Sequence, residues 1–281
     1  MQAPETVRSV AELRARVAAW RQAGERVALV PTMGALHEGH LALVRAGRER
    51  AERVVVSIFV NPKQFAPNED FEAYPRVADR DRAALVGLAD VIFAPGVNDM
   101  YPPGFATEIT VAGPSEGFEG AARPGHFAGV ATIVAKLFTQ CGPDYAIFGE
   151  KDWQQLQVVT RMARDLDLPL EIVPHPTVRD EAGLALSSRN AYLSPDEIET
   201  ARKLNVILSR TAGELRARPV AEVLAKGRAE LEALGFGPID YLAVADPETL
   251  KPLDALEPGK PARLLVAARL GSVRLLDNVA V

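Results

Sequence analysis

The segment PTMGALHEGH, residues 31–40, places His37 and His40, two of the chain's four histidines, three positions apart in a turn that also holds Gly34 and Gly39. A spacing of three puts both imidazoles on one side of a helix that starts near Gly39. Imidazole donors beside the unpaired N–H groups of a helix start suit a phosphate, and glycine lets backbone come close to it. The plainer alternative is a pair of surface histidines. Their concentration in one turn, directly after an apolar run, favours the anion site.

Four further segments carry polar groups in suggestive order. In GEKDWQQL, residues 149–156, Lys151 can neutralise phosphate charge, Asp152 can orient Lys151 or a ribose hydroxyl, and Gln155 offers an amide to a hydroxylated substrate. A capped helix start with Asp152 as N-cap accounts for the same letters. In LSSRN, residues 186–190, Arg189 can fork onto phosphate oxygens while Ser187 and Ser188 donate, although Ser-Ser-Arg is also ordinary loop composition. The long polar stretch NPKQFAPNEDFEAYPR, residues 61–76, offers Gln64 for substrate contact, or else Asn61 and Gln64 satisfy a Pro-rich turn. RPGHFAGV, residues 123–130, sets Arg123 and His126 before a helix, where anion binding and simple capping are equally open.

Such groups need elements to hold them. Short apolar, β-branched runs recur near 27–30, 54–60, 91–93, 145–148 and 170–173, mostly separated by helix-patterned stretches. That alternation predicts an α/β fold, a doubly wound parallel sheet of Rossmann-like type. Ser9 with Glu12 forms a capping signal for a first helix that exits at Gly24. From about Val178 the texture changes: a polar loop, Ser194-Pro195 with Glu197 as a second capping signal, two amphipathic helices to about Leu234, then short strands joined by Pro and Gly turns. We therefore expect residues 1–177 to form a ligand-binding domain and residues 178–281 a small α+β lid domain with an antiparallel sheet.

Composition narrows the function classes. With 281 residues and 48% hydrophobic content the chain buries a full core. An acidic balance of 37 Asp and Glu against 32 Lys and Arg argues against nucleic acid as a partner and for small molecules. No export signal and no run of eighteen apolar residues appears, so a cytoplasmic protein without membrane insertion is expected. The single cysteine, Cys141, excludes an internal disulfide and is expected to pack.

Taken in order, PTMGALHEGH, NPKQF, YPR, RPGHFAGV, FGEKDWQQL and SSRN resemble the pantoate–beta-alanine ligase family, within the H-x-G-H nucleotidyltransferases. The match spans residues 31–190; the tail beyond is compatible but carries no equally specific string. The resemblance implies ATP-dependent condensation of pantoate with beta-alanine through a pantoyl adenylate, releasing AMP and pyrophosphate, with Mg²⁺ present and the chain acting as a homodimer. It implies that Met33, Gly34, Ala35, Leu36, His37, Glu38, Gly39 and His40 contact ATP, His40 being the proton donor. Gly149, Glu150, Lys151, Asp152, Val178, Leu186, Ser187, Ser188 and Arg189 complete that site, with His37, Lys151 and Arg189 sharing the catalytic work. Gln64 and Gln155 hold pantoate, and Asn61, Arg123 and His126 are candidates beside them. Leu186 and Trp153 depart from the family's usual Met and Tyr or Phe while keeping apolar bulk. Asp79 and Asp81 could place Mg²⁺ through water, or serve as helix-start charges, so the metal ligands stay unassigned. A nucleotidyltransferase acting on another small cofactor precursor is the alternative.

Overall fold

The computed structural model describes residues 3–66, 71–72 and 74–281. The expected alternation is present as a six-stranded parallel sheet, accompanied by a three-stranded antiparallel one. The parallel strands are β1 (Glu5–Val7), β2 (Val27–Thr32), β3 (Arg53–Ile58), β4 (Val91–Phe93), β5 (Tyr145–Gly149) and β6 (Glu171–His175). Every apolar run read from the sequence is a strand. β1 is an addition: three residues carry no pattern of their own, and pairing with β4 is what makes them a strand.

Val27, Ala28, Leu29 and Val30 are all fully buried, which explains why β2 reads as an unbroken apolar run. The sheet order β1-β4-β3-β2-β5-β6 means that the chain winds outward from β2 through β3 and β4, then returns to build β5 and β6 on the other side. Between β2 and β5 the winding therefore reverses, and at such a switch point the carboxyl ends of adjacent strands open a crevice suited to a ligand. PTMGALHEGH leaves the end of β2, and Gly149 and Glu150 leave the end of β5, which pairs directly with β2.

The helices are α1 (Val10–Gln22), α2 (Glu38–Arg50), α3 (Ala78–Ala84), α4 (Val97–Met100), α5 (Phe118–Ala122), α6 (His126–Cys141), α7 (Trp153–Asp165), α8 (Pro195–Leu215) and α9 (Val220–Ala233). Both capping boxes read from sequence are formed, at Ser9 with Glu12 and at Ser194 with Glu197. α6 is buried on nearly all sides, and burial pushes the Cys141 thiol up to about 12, so it stays protonated and packs. At Gly129 this helix runs against the 3-10 turn Pro62–Gln64 so closely that an added Cβ would lie 2.3 Å from the Lys63 carbonyl oxygen. Only a residue without a side chain fits there.

Two compact units divide the chain: Met1–Val111 with Arg123–Glu150 and Val158–Pro176, and Ala112–Ala122 with Lys151–Gln157 and Thr177–Val281. The second unit packs α8 and α9 with β7 (Phe236–Ala245), β8 (Arg263–Leu270) and β9 (Val273–Ala280), over a core that includes Leu208, Leu231 and Leu264. Residues 112–122 and 151–157 group with this unit although they lie far from it in sequence. Among the described residues no helix is long and apolar enough to cross a membrane.

The Gly129 contact is directly testable. Gly129→Ala should cost at least about 1–3 kcal/mol, because a backbone carbonyl cannot swing away as a side chain can. Thermal and urea unfolding measure it, and a variant as stable as the native protein would show that the helix and turn separate freely.

Candidate functional site

In the first unit, the turn after β2 is built by hydrogen bonds that leave its backbone little choice. The Thr32 hydroxyl donates to the Ser57 carbonyl at 2.7 Å and accepts from the Gly34 N–H at 3.2 Å. Gly34 and Ala35 then take successive left-handed conformations, φ 83° and 52°, the second unusual for a residue with a side chain. One carboxylate stabilises that path. Asp81, on α3, is 1% exposed and accepts from the Ala35 N–H at 2.9 Å and the Leu36 N–H at 2.8 Å. A Cβ on Gly34 would stand 3.0 Å from the same carboxylate, so that glycine is required twice over.

With the turn so fixed, α2 starts one residue before Gly39, and its N-cap is His37. The Gly39 N–H donates to His37 Nδ1 at 3.1 Å, and the His37 N–H donates to His40 Nδ1 at 3.4 Å, a reciprocal capping box made by two imidazoles. The rings lie 4.1 Å apart, centroid to centroid. An Nδ1 that accepts cannot carry a hydrogen, so each neutral ring holds its hydrogen on Nε2 and is a donor at its far nitrogen. Glu38 pairs with Arg45 along the exposed side of the helix.

Beside this turn stands a cluster of amides and rings. Asn61, 1% exposed, accepts from the Tyr101 hydroxyl at 2.7 Å and donates to the Gly129 carbonyl and to Gln64 Oε1, both at 3.1 Å. Gln64 Nε2 points to the Met33 sulfur at 3.0 Å. The Gln64 backbone carbonyl accepts from Arg123 at 3.2 Å and lies 2.8 Å from His126 Nδ1. Since Arg123 also lies 3.2 Å from His126 Nε2 and can only donate, His126 carries its hydrogen on Nδ1. Asn61, Arg123 and His126 are thus directed at Gln64. Residues 67–70 and 73, in the rest of that polar loop, lie outside the described residues.

In the second unit, Lys151 Nζ lies 3.6 Å from Asp152, and the Lys151 carbonyl accepts from buried Asn278 on β9 at 2.9 Å. Arg263 donates to Asn278 at 2.6 Å and stacks 3.6 Å over the ring of Trp153, whose indole N–H donates to the Pro247 carbonyl at 2.8 Å. Gln155 is half-buried, whereas its neighbour Gln154 is buried and spends its amide on the backbone of residues 114–119. The Leu186 N–H donates to the Val178 carbonyl at 2.9 Å, so these two residues meet across a short backbone bridge. Ser187 caps the following turn by accepting from the Arg189 N–H at 3.3 Å, and Asn190 ties it to the Ala185 carbonyl at 3.1 Å. Arg179 and Asp277 form a two-pronged ion pair behind this loop at 2.6 and 2.7 Å.

Several of these residues give no sign of themselves in the sequence. Asp79 and Asp81 both look like first-turn charges of α3, and only burial separates exposed Asp79 from the carboxylate that holds the turn. Tyr101, Asn278 and Arg263 lie outside every recognisable string. Gly129 sits inside RPGHFAGV, yet nothing in that string announces a close approach. Among the described residues no group of three His, Cys, Asp or Glu gathers as a metal cage, and both oxygens of Asp81 are occupied by backbone N–H groups.

Comparison with known proteins places the whole chain. The family model described as pantoate-beta-alanine ligase matches residues 5–280. The pantothenate synthetase of Rhizorhabdus wittichii is 58% identical over 99% of this chain and 98% of its own length. That of Caulobacter vibrioides is 55% identical over the full length of both. The crystal structure of the Thermus thermophilus pantothenate synthetase superposes with a TM-score of 0.90 at 52% identity, covering 98% of both chains. A pantoate-beta-alanine ligase from Francisella tularensis, crystallised with beta-gamma ATP and beta-alanine, gives 0.81 at 32% identity, covering 99% of this chain and 97% of its own.

Burial raises the Asp81 carboxyl above its ordinary value of 3.8, against the pull of its two backbone donors. The folded chain therefore holds that proton more tightly than the unfolded one. Whatever stability the group contributes is complete below the unfolded value and declines as pH rises through the higher folded value. Asn cannot ionise, so the stability of Asp81→Asn relative to the native protein should improve as pH rises from about 4 to 7. Urea midpoints across that range decide it, and a constant difference would remove Asp81 from the balance.

Proposed function

The chain belongs to the pantoate-beta-alanine ligase family and joins pantoate to beta-alanine with ATP, and from that premise we propose how its own residues carry the reaction. In the first step a pantoate carboxylate oxygen bonds to the α-phosphorus, the bond to the β-phosphate breaks, and pyrophosphate leaves. In the second the amine nitrogen of beta-alanine bonds to the acyl carbon, the acyl–phosphate bond breaks, and AMP leaves as the amine gives up a proton.

The obstacle in the first step is one anion approaching another, so donors must stand where phosphate charge develops. We assign that part to the histidine pair, and the observation that carries the assignment is the reciprocal Nδ1 cap at the switch point of the sheet. The cap fixes both rings as Nε2 donors without requiring either to be charged. Met33 to His40 supply the remaining backbone contacts to ATP, with Gly149 and Glu150 at the neighbouring strand end. Lys151, Asp152, Val178, Leu186, Ser187, Ser188 and Arg189 are the further candidates for phosphate handling, Lys151 and Arg189 as cations.

Gln64 and Gln155 hold pantoate. Asn61, Arg123 and His126 serve by positioning Gln64, a role their contacts support better than direct binding. Mg²⁺ is read as an ion that travels on the nucleotide phosphates, which suits its preference for retained water. With Asp81 occupied we give the ion no protein ligand and route no step through it. The homodimer belongs to the same reading and rests on the family resemblance, while the cytoplasmic setting is proposed from the sequence pattern.

The test is an omission series: pure protein with Mg²⁺ and ATP, adding pantoate and beta-alanine singly and together, while following pyrophosphate, AMP and pantothenate. Pyrophosphate release that requires pantoate but not beta-alanine is the expected signature of the adenylate, and release indifferent to pantoate would sink the scheme. In the same assay His40→Ala should slow adenylate formation roughly 100-fold, as for loss of a donor to developing charge. Its stability should fall by no more than about 2 kcal/mol, the upper cost of a lost N-terminal cap.

A further inference from the structure

We infer that Tyr101 is a positioning residue that locks the polarity which the Lys63 N–H and the Gly129 carbonyl give the Asn61–Gln64 amide pair, so that Gln64 faces the acid substrate with its NH₂ group and binds an acceptor oxygen. The inference rests on the assignment of Gln64 to pantoate binding and adds the direction of that contact together with the residue that secures it.

An amide side chain can be turned end for end, and its shape alone does not say which end is which. At Asn61 the surroundings leave no choice. Its Oδ1 receives the Tyr101 hydroxyl at 2.7 Å and the Lys63 backbone N–H at 3.3 Å, and an N–H can only donate. Its Nδ2 faces the Gly129 carbonyl at 3.1 Å, which can only accept. Reversing Asn61 would set N–H against N–H on one side and oxygen against oxygen on the other, inside a site that is 1% exposed. The second Nδ2 hydrogen therefore points at Gln64, whose end facing Asn61 must be Oε1. What remains of Gln64 is the NH₂, directed toward Met33.

The Met33 sulfur is a weak acceptor, easily exchanged for a carboxylate or hydroxyl oxygen. Orientation thus passes from the Lys63 N–H and the Gly129 carbonyl, with the tyrosine hydroxyl as the shortest contact holding Asn61 in place, through two amides to the substrate. Burial raises the Tyr101 hydroxyl well above its ordinary value, so it stays protonated and remains a donor. Its ring is held independently by Phe105, at 5.1 Å between centroids, and by Phe59, at 6.3 Å. Packing and hydrogen bonding at this residue can therefore be separated.

Tyr101→Phe keeps the ring and removes the donor. Without it Asn61 retains only the longer Lys63 contact on that side, and the Asn61–Gln64 pair is held less firmly in its orientation. The expected result is a pantoate KM raised about 3- to 10-fold, in keeping with the loss of one hydrogen bond, with the KM for ATP within twofold and Tm nearly unchanged. Phe105→Leu, which loosens the ring but keeps the hydroxyl, should lower Tm and leave the pantoate KM within twofold. A pantoate KM unchanged in Tyr101→Phe, or raised in parallel with the KM for ATP, overturns the inference. So does a pantoate KM that follows Tm in both variants. Native protein that makes no pantothenate would instead overturn the functional assignment beneath it, and the two failures are told apart by the native control.

Discussion

A single buried carboxylate governs the shape of the turn that follows β2 in the first unit. Two adjacent backbone N–H groups, of Ala35 and Leu36, point inward at the end of β2, where no strand or helix partner is available to them. Left unpaired they would each cost about 1–3 kcal/mol; Asp81 accepts both. In doing so it holds Ala35 at a positive φ that an alanine does not adopt unaided, and thereby fixes where α2 begins. Had the turn relaxed by one residue, His37 would no longer be the N-cap and the two imidazoles would lose the geometry that defines their tautomers. The anion itself is disfavoured by burial, so this arrangement trades some stability for shape.

The same economy runs through the amide cluster. Charged side chains hold a ligand strongly but also hold each other; amides and neutral rings orient one another without leaving a buried charge behind. Asn61 has all its donors and acceptors engaged, His126 is fixed as a neutral ring between Arg123 and the Gln64 carbonyl, and Gln64 alone ends on a partner as weak as a thioether. Gly129 makes the cluster possible, because its missing side chain is what lets α6 bring a carbonyl within reach of Asn61.

In the second unit the constraint is different. There the segments 151–153 and 186–189 are short pieces without a sheet of their own, the first held by long-range contacts and the second by local backbone bonds. Asn278 and Arg263, more than a hundred residues away along the chain, grip Lys151 and Trp153. Buried Glu119 accepts from Arg274 and from the Tyr241 hydroxyl, Arg274 reaching exposed Asp240 as well, and this cluster secures residues 112–122 to the C-terminal strands. Buried ion pairs of this kind add little net stability but cost heavily when one partner is lost, so they specify position more than they strengthen the fold.

How much of this was legible in the letters follows from the range of each interaction. The apolar runs at 27–30 and 145–148, the capping signals at Ser9 and Ser194, and the order of the motifs are local or periodic, and they sufficed for the parallel sheet, the antiparallel tail and the family. The histidine pair was legible as a pair because its spacing is helical. Its tautomers were not, since they depend on where the helix starts, and that depends on Asp81 from forty-odd residues away. Asp79 and Asp81 are chemically identical in sequence and opposite in the fold, one exposed and one sealed. Arg123, His126 and Asn61 could be named as candidates from composition, yet whether they face a substrate or Gln64 is a matter of direction in space. Sequence determines which groups are available and which elements carry them; only the packing of distant segments decides which way each donor and acceptor points.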